Sequence, residues 1–312
     1  MNRKCIVFYW DRIHQERFLT NEFKYPTFRR FATLANKTFD YFVAFGKETH
    51  KGSGVFFPVF QFKNDQLVEY TQEVSAGIVM KYDLELEGNK GKARFIYNPE
   101  FNELCKDKFK TYNFLTEFCP ETYICHSKEE CIKNREKIKT PLVVVKPNRG
   151  VCGRNVRILE KESLTNLQNL EYNFAEGVLV QEFIDTSNGC PGIAESTHDL
   201  RLSIINDKNI MASVSVPHEK SLIANWHQGA MVNEVVVENL PKEVTEFRNA
   251  IHEKIKKTYS HAMYNIDVGV TPNGPRLIEL NSPIAFPRPE WKSTDLYLSN
   301  LIEHLDSLSL AL

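Results

Sequence analysis

The feature that most constrains the fold is a pair of apolar segments joined by a short turn. Residues 265–270 read Asn-Ile-Asp-Val-Gly-Val, and residues 277–283 read Leu-Ile-Glu-Leu-Asn-Ser-Pro. Such alternation of apolar and polar residues is typical of β-strands, whose successive side chains point to opposite faces. Because Thr-Pro-Asn-Gly-Pro lies between the two segments, the pattern predicts a β-hairpin.

The hairpin is expected to place acidic side chains together. In the first strand Asp267 lies opposite the apolar face, and in the second strand Ile278 and Leu280 are expected to share the apolar face. The other face of the second strand would carry three residues: Leu277, Glu279 and Asn281. A turn centred on Asn273 would place Asp267 directly across from Glu279.

Paired carboxylates on adjacent strands require a compensating charge. Two anions side by side repel each other unless a positive group lies between them. Carboxylate and amide oxygens are hard ligands that suit Mg²⁺, particularly where nucleotide phosphates complete the coordination. The pattern therefore favours a magnesium site, and the alternative is a solvated polar face on an edge hairpin.

A second candidate site is the loop that follows an apolar strand at 142–146. Gly150 and Gly153 allow backbone N–H groups to approach phosphate oxygens closely, and Lys146 adds a fixed cation. The loop lacks Gly-Lys-Ser/Thr and is therefore not a Walker P-loop. An ordinary surface loop with two glycines is the alternative.

Composition excludes several function classes. The 312 residues include 39 basic and 40 acidic side chains, so the basic field of a nucleic-acid-binding protein is absent. The apolar runs are too short to span a bilayer, and the N-terminal segment reads as a β-strand rather than a signal peptide. The seven cysteines include no Cys-x-x-Cys spacing, which favours a reducing compartment. We expect a cytoplasmic protein without nucleic-acid or membrane partners.

The remaining periodicity predicts an α/β protein. Strands alternating with helix-compatible stretches in the first hundred residues indicate a small parallel α/β unit. Helices are predicted at 106–118, 241–259 and 293–308. Strands are predicted at 155–160 and 177–184, together with a hairpin over 200–217.

The order of these segments resembles the ATP-grasp superfamily, and within it ribosomal-protein glutamate ligases, glutathione synthetases and, more loosely, tubulin–tyrosine ligases. Besides the two hairpin strands, the likeness rests on Lys-Asp-Lys-Phe (106–109), Val-Val-Val-Lys-Pro (143–147), Val-Leu-Val-Gln-Glu-Phe-Ile (178–184) and Asp-Leu-Arg-Leu (199–202). It implies an ATP-grasp fold with a Rossmann-like N-terminal domain. The expected divisions are 1–104 for that domain, 105–180 for a small lobe with the phosphate loop, and 181–312 for a lobe with the metal site.

The resemblance also implies roles for individual residues. The nucleotide would contact Lys108, Lys146, Gly150, Gly153, Arg154, Gln181, Glu182, Phe183, Ile184 and Asp199. Arg201 and Asn225 would be catalytic, and the magnesium ligands would be Asp267, Glu279 and Asn281. Three residues that flank these motifs are predicted to contact substrate: Trp226, His227 and Arg288.

Two departures from the family pattern bear on the reaction. Relatives usually carry an arginine just before the position of Asn225, where this chain has Ile223 and Ala224. A replacement cation would come from one of three side chains: Lys220, Arg154 or His227. Asn155 stands where a glycine is common, although asparagine adopts the left-handed conformation more readily than most residues.

The first hundred residues carry no motif that indicates a substrate. Several cationic and aromatic side chains there could line a carboxylate pocket, but ordinary surface roles are favoured for them. They are Trp10, Arg12, His14, Arg29 and Arg30.

The resemblance implies an ATP-dependent carboxylate–amine ligase. A substrate carboxylate would attack the γ-phosphorus of ATP, giving an acyl phosphate and ADP, and an amine would then displace phosphate. The expected cofactors are ATP and two Mg²⁺ ions, with Mn²⁺ as a substitute, and the expected substrates are amino acids or peptides. A homodimer is compatible with this interpretation. Two alternatives remain open: a kinase that phosphorylates a small-molecule hydroxyl, and a nucleotide-binding regulatory protein without turnover.

Overall fold

The computed structural model describes most of the chain. The described residues are 4–81, 93–96, 98–150, 153–163, 172–218, 221–224, 228–282 and 284–310. Within them the chain forms an α/β structure with several sheets, in agreement with the predicted fold class.

The N-terminal part forms a mixed sheet and a smaller three-stranded sheet. Its elements are β1 (Cys5–Trp10), α1 (Ile13–Arg17), α2 (Tyr25–Thr38), β2 (Asp40–Phe45), β3 (His50–Gly52), β4 (Val55–Phe56), β5 (Val59–Lys63), β6 (Gln66–Tyr70), β7 (Val74–Ser75), β8 (Ile78–Lys81) and β9 (Arg94–Phe95). The larger sheet has the order β6-β5-β2-β1-β8-β9, in which β2, β1, β8 and β9 are parallel. The predicted parallel unit is confirmed, and the antiparallel hairpin β5–β6, which we did not predict, extends it.

The middle part forms an antiparallel sheet of four strands in the order β10-β13-β11-β12. Its elements are α3 (Pro99–Lys106), α4 (Lys108–Phe114), β10 (Thr122–Cys125), α5 (Lys128–Arg135), β11 (Leu142–Pro147), β12 (Arg157–Glu160) and β13 (Val178–Glu182). The helix predicted at 106–118 is confirmed over α4, but it starts later than predicted and does not continue unbroken to residue 118. Asp107 is extended, with φ −96° and ψ 97°; it ends α3, and its side chain accepts from Lys110 N at the start of α4. A separate 3₁₀ turn covers Thr116–Phe118.

The C-terminal part forms an antiparallel sheet of five strands in the order β16-β15-β14-β17-β18. Its elements are β14 (Asp199–Ile205), β15 (Lys208–Val216), β16 (Met231–Val235), α6 (Lys242–Thr258), β17 (Tyr264–Thr271), β18 (Gly274–Asn281) and α7 (Thr294–Leu310). The predicted hairpin over 200–217 is confirmed with a tight turn, because Ile205 pairs with Lys208 and Asn206 and Asp207 both have positive φ.

The C-terminal helix packs against the N-terminal part of the chain. An aromatic core on β1 and α2, which includes Phe8 and Trp10, also contains Phe286 and the buried leucines of α7. The rings of Phe28 and Phe286 lie 4.4 Å apart. This packing brings the start of α2 close to the segment between β18 and α7.

None of the helices in the described part is long and apolar enough to cross a membrane. The six cysteines in that part are free thiols, and Cys152 lies outside it. Burial raises the pKa of Cys5 and Cys119 to about 12, which disfavours their reactive thiolates.

Candidate active site

A cavity of about 470 Å³ lies between the four-stranded and five-stranded sheets. Every predicted site residue within the described ranges lines it: Lys108, Lys146, Gly150, Gly153, Arg154, Gln181, Glu182, Phe183, Ile184, Asp199, Arg201, Asp267, Glu279, Asn281 and Arg288. Three further predicted residues, Asn225, Trp226 and His227, lie outside the described residues, as does Lys220. Ile223 and Ala224, which precede Asn225 in the sequence, line the cavity.

The carboxylate hairpin has the predicted pairing of Asp267 with Glu279, but its turn and its register differ from those expected. Asp267 on β17 is opposite Glu279 on β18, so this expectation is confirmed. The turn is not centred on Asn273, however, because Thr271 pairs with Gly274 and leaves a two-residue turn. A regular ladder from such a turn would place Asp267 opposite Ile278. A register shift next to Asp267 brings Glu279 into place instead.

The extra residue in this bulge is Ile278. Val268 pairs with Leu277 and Asp267 pairs with Glu279, so Ile278 has no opposite residue. Because a one-residue insertion reverses the alternation of faces, the expected positions of Leu277 and Ile278 were wrong. Leu277 is buried in the core of the sheet, and Ile278 lines the cavity beside Glu279.

Asp267 is held by two neighbouring side chains. Arg201, its partner on β14, donates from Nε to Oδ1 at 2.7 Å and from Nη2 to Oδ2 at 2.6 Å. Asn281 donates from Nδ2 to the same Oδ2 at 2.9 Å. Burial raises the pKa of Asp267 and the Arg201 guanidinium opposes that effect, while Asp267 in turn raises the pKa of Arg201.

Glu279 is surrounded by cations. Its Oε1 lies 3.2 Å from Lys108 Nζ, which also donates to Gly150 O at 2.7 Å. Burial acts to raise the pKa of Glu279, but Lys108, Lys146 and Arg201 together hold it below its usual value. Burial, reinforced by Lys108 and opposed by Glu279, lowers the pKa of Lys146 to about 8. The two lysines and Glu279 therefore form one electrostatic cluster.

The glycine loop positions Lys108 through Asn148. The carbonyl oxygen of Asn148 accepts from Lys108 N at 3.2 Å, and its side chain accepts from Phe109 N at 2.9 Å. The start of α4 is thereby fixed to the loop. Asn155 adopts a left-handed conformation with φ 57°, as expected for a residue in place of glycine.

Asp199 lies at the edge of the charged cluster. Burial, followed by repulsion from Asp267, raises its pKa well above the usual value, and Arg201 opposes this. Its Oδ1 is buried and has no hydrogen-bond partner among the described residues. Such an unsatisfied oxygen at a cavity wall is suited to a ligand hydroxyl or a cation.

An apolar slot lies next to the charged groups. Val144 and Ile158 line it from the four-stranded sheet, and Met211 lines it from β15. Beyond β13, Phe183 and Ile184 continue this wall. The neighbouring Gln181 side chain is fixed by a hydrogen bond of 2.7 Å from Nε2 to Thr122 Oγ1. An aromatic ring fits such a slot, with polar backbone atoms at its edge.

The N-terminal part of the chain contributes residues that sequence reasoning missed. Phe23 and Lys24, which precede α2, line the cavity, as do Phe286 and Trp291 near Arg288. No motif surrounds Lys24, so sequence spacing offered no signal. The side chains considered in that region lie elsewhere: Trp10 is in the aromatic core, and Arg30 pairs with Asp295.

Comparison with known proteins identifies this architecture. Residues 105–295, more than half of the chain, match the model of the RimK-like ATP-grasp domain. A search of curated proteins finds no match.

Solved structures resemble the whole chain. D-alanyl-alanine synthetase A from Vibrio cholerae has a TM-score of 0.64 at 14% identity, covering 100% of this chain and 98% of that chain. A RiPP-associated ATP-grasp ligase from Chryseobacterium gregarium, solved with ADP and a leader and core peptide, has a TM-score of 0.64 at 12% identity, covering 98% and 97%. VanG D-Ala:D-Ser ligase from Enterococcus faecalis has a TM-score of 0.64 at 14% identity, covering 99% and 100%. These likenesses confirm the predicted ATP-grasp fold.

Proposed function

The chain belongs to the RimK-like ATP-grasp family, and from this premise we propose that it joins the carboxylate of an amino acid or peptide to an amine. ATP-dependent carboxylate–amine ligation with release of ADP is the activity that family membership supports. We infer that residues 105–180 and 181–312 are the two lobes that enclose the nucleotide, after an N-terminal domain at 1–104.

One observation carries the proposal: paired carboxylates and several cations meet at one end of an apolar slot. Asp267 and Glu279 are opposite each other in the hairpin, and Lys108, Lys146 and Arg201 surround them. Joining a carboxylate to ATP requires two anions to approach, and a wall of fixed cations reduces their repulsion. Lys108 and Lys146 are suited to the α- and β-phosphates, and Arg201 to the transferred phosphoryl group.

The carboxylates fit a divalent cation. Burial raises the pKa of Asp199 and Asp267, and repulsion adds to this effect, from Asp267 on Asp199 and from Glu279 on Asp267. A bound cation would stabilise the charged forms of these carboxylates. Among the described residues, no group of three or more His, Cys, Asp or Glu side chains could hold a metal alone. Asp267, Glu279 and Asn281 would therefore hold Mg²⁺ together with phosphate oxygens, and a half-turn of the Asn281 amide would present its oxygen. Bound Mg²⁺, which we infer as two ions replaceable by Mn²⁺, would neutralise the phosphates during transfer.

The remaining cavity residues would bind and orient the nucleotide. The apolar slot, with Glu182, Phe183 and Ile184 at its edge, is suited to adenine. Asp199 is suited to the ribose hydroxyls, because its buried Oδ1 has no partner in the described part of the chain. The loop with Gly150, Gly153 and Arg154 would cover the phosphates and exclude water, which protects an acyl phosphate from hydrolysis.

The test is product analysis with Mg·ATP and pooled amino acids and dipeptides. We expect ADP, phosphate and a product lighter by one water than its two summed substrates, identified by mass spectrometry. A product heavier by a phosphoryl group would instead indicate the kinase alternative. Tight Mg·ATP binding without any product would support the regulatory alternative. Homodimer formation and a cytoplasmic location remain predictions.

A further inference from the structure

Two cations of the cavity wall lack a carboxylate partner among the residues that the structure describes. Lys24 and Arg288 both line the cavity, and no carboxylate oxygen of the described residues lies within 4.0 Å of either side chain's nitrogens. In contrast, Lys108 pairs with Glu279 and Arg201 pairs with Asp267. We call Lys24 and Arg288 the basic wall.

Tertiary contacts hold the basic wall together. Thr27 Oγ1, one helical turn after Lys24, donates to Pro287 O at 3.1 Å, immediately before Arg288. Lys24 Nζ lies 5.0 Å from the centre of the Phe23 ring, and the Arg288 guanidinium lies 6.0 Å from that of Trp291. Cations stacked on rings in this way keep a defined position without a counter-ion.

The positive charges of this region repel one another. Burial, followed by Arg201 and then Arg288, lowers the pKa of Lys24 to about 7. A cluster of like charges that face a cavity is unfavourable until an anion enters. The basic wall is therefore prepared to bind an anionic group.

The phosphates of the nucleotide are not the anionic group that we expect the basic wall to bind. Its proposed phosphate contacts already include Lys108 and Lys146, and Arg201 is suited to the transferred phosphoryl group. Lys24 directly precedes α2, and Arg288 lies in the segment before α7, so both are outside the two sheets that enclose the slot. An anion bound there belongs to the other substrate, since it lies on a separate wall of the same cavity.

We propose that, on the substrate whose reacting carboxylate is activated, Lys24 and Arg288 bind a second carboxylate that does not react, so that the enzyme selects amino acids or peptides with at least two carboxylates. This inference rests on the proposed ligase function, because it concerns the substrate of the same site. It also assigns the N-terminal part of the chain a role in substrate selection.

The experiment measures binding rather than turnover. Calorimetry on the full chain saturated with Mg·ADP would compare matched pairs: L-glutamate with L-glutamine, L-aspartate with L-asparagine, and dipeptides with free or amidated C-termini. We expect at least one acid to bind about tenfold more tightly than its amide, the effect of one charge-assisted contact. Lys24→Gln and Arg288→Gln should each remove most of that preference while leaving ADP affinity unchanged.

The matched control is Lys37→Gln. Lys37 is an exposed lysine of α2, about 20 Å along the helix axis from Lys24, and its replacement should leave the preference intact. Equal loss of acid and amide binding in Lys24→Gln would overturn the proposal, as would weaker ADP binding with an unchanged preference. Absence of any acid preference in the wild type would overturn it too.

The two proposals fail in different ways. If the acid preference depends on Lys24 but no ligated product forms, the basic wall stands and the ligase assignment falls. If neutral substrates are ligated and Lys24→Gln changes nothing, the ligase assignment stands and the inference is wrong.

Discussion

The β17–β18 hairpin and the basic wall, which line the same cavity, differ in whether their charged side chains form ion pairs within the protein. On the β17–β18 hairpin every acidic side chain faces a cation, with Asp267 bound by Arg201 and Glu279 beside Lys108. On the basic wall, Lys24 and Arg288 have aromatic neighbours but no carboxylate partner in the described residues. The hairpin can exchange its internal ion pairs for metal and phosphate contacts. The basic wall, which has no carboxylate partner in the described part of the chain, can take a counter-ion from a ligand.

The two walls also differ in how they are assembled. The hairpin is local in sequence, and its pairing follows from a two-residue turn and a one-residue bulge at Ile278. The basic wall joins residues more than 250 positions apart through the Thr27–Pro287 hydrogen bond, whose sequence separation is 260. Function on the first wall is therefore open to motif analysis, and function on the second is not.

The largest expected effect comes from breaking the hairpin wall. Glu279→Gln should lower kcat/KM for ADP release about a thousandfold, because it removes a charged ligand and leaves Lys108 unpaired. Steady-state ADP release measures this, with Glu253→Gln on the exposed side of α6 as the control. Wild-type activity of the Glu279 variant would contradict the metal assignment.

A smaller effect is expected for the buried lysine behind that wall. Lys146→Gln should weaken ATP binding about thirtyfold, because a charge-assisted contact worth about 2 kcal/mol is lost. Calorimetric titration with Mg·ATP measures the change, and the exposed Lys139→Gln serves as the matched control. Unchanged affinity in Lys146→Gln would remove this residue from the nucleotide site.

On the basic wall, anion affinity should depend on pH. The pKa of Lys24 is lowered to about 7 by burial, Arg201 and Arg288. Lys24 is charged below that pKa and must take up a proton to bind an anion above it. Acid affinity should therefore be about tenfold weaker at pH 8 than at pH 6. The slope should vanish in Lys24→Gln, and an unchanged slope there would assign the titration to another group.

The smallest effect tests how the basic wall is held. Thr27→Val keeps the shape of the side chain but removes its hydrogen bond to Pro287 O. We expect about 1 kcal/mol less stability and about threefold weaker binding of the acidic ligand, with ADP affinity unchanged. Denaturant unfolding and calorimetry measure the two effects. Thr33→Val on the exposed face of α2 is the control, and equal effects in both variants would exclude a positioning role for Thr27.

Much of this fold could be predicted from the sequence, because its strand alternation and its loop motif correspond directly to elements of the structure. Alternation at 265–281 and the glycine loop after the β11 strand gave the elements of the site, and the family resemblance named residues that all line one cavity where described. Two predictions failed where the local backbone departs from a regular helix or strand. The helix predicted from residue 106 starts only at Lys108, because Asp107 is extended and ends α3, and the bulge at Ile278 reverses the expected faces.

By itself the sequence determined the ATP-grasp class, the paired carboxylates and the lysines beside them, since strand alternation and motif order depend on neighbouring residues. Tertiary structure decided which cations meet which acids, through the pairing of β14 with β17 and the packing of α4 on the loop. It alone placed Lys24 beside Arg288. That contact depends on α7 and Phe286 packing against α2, a long-range burial of apolar surface that no local spacing encodes.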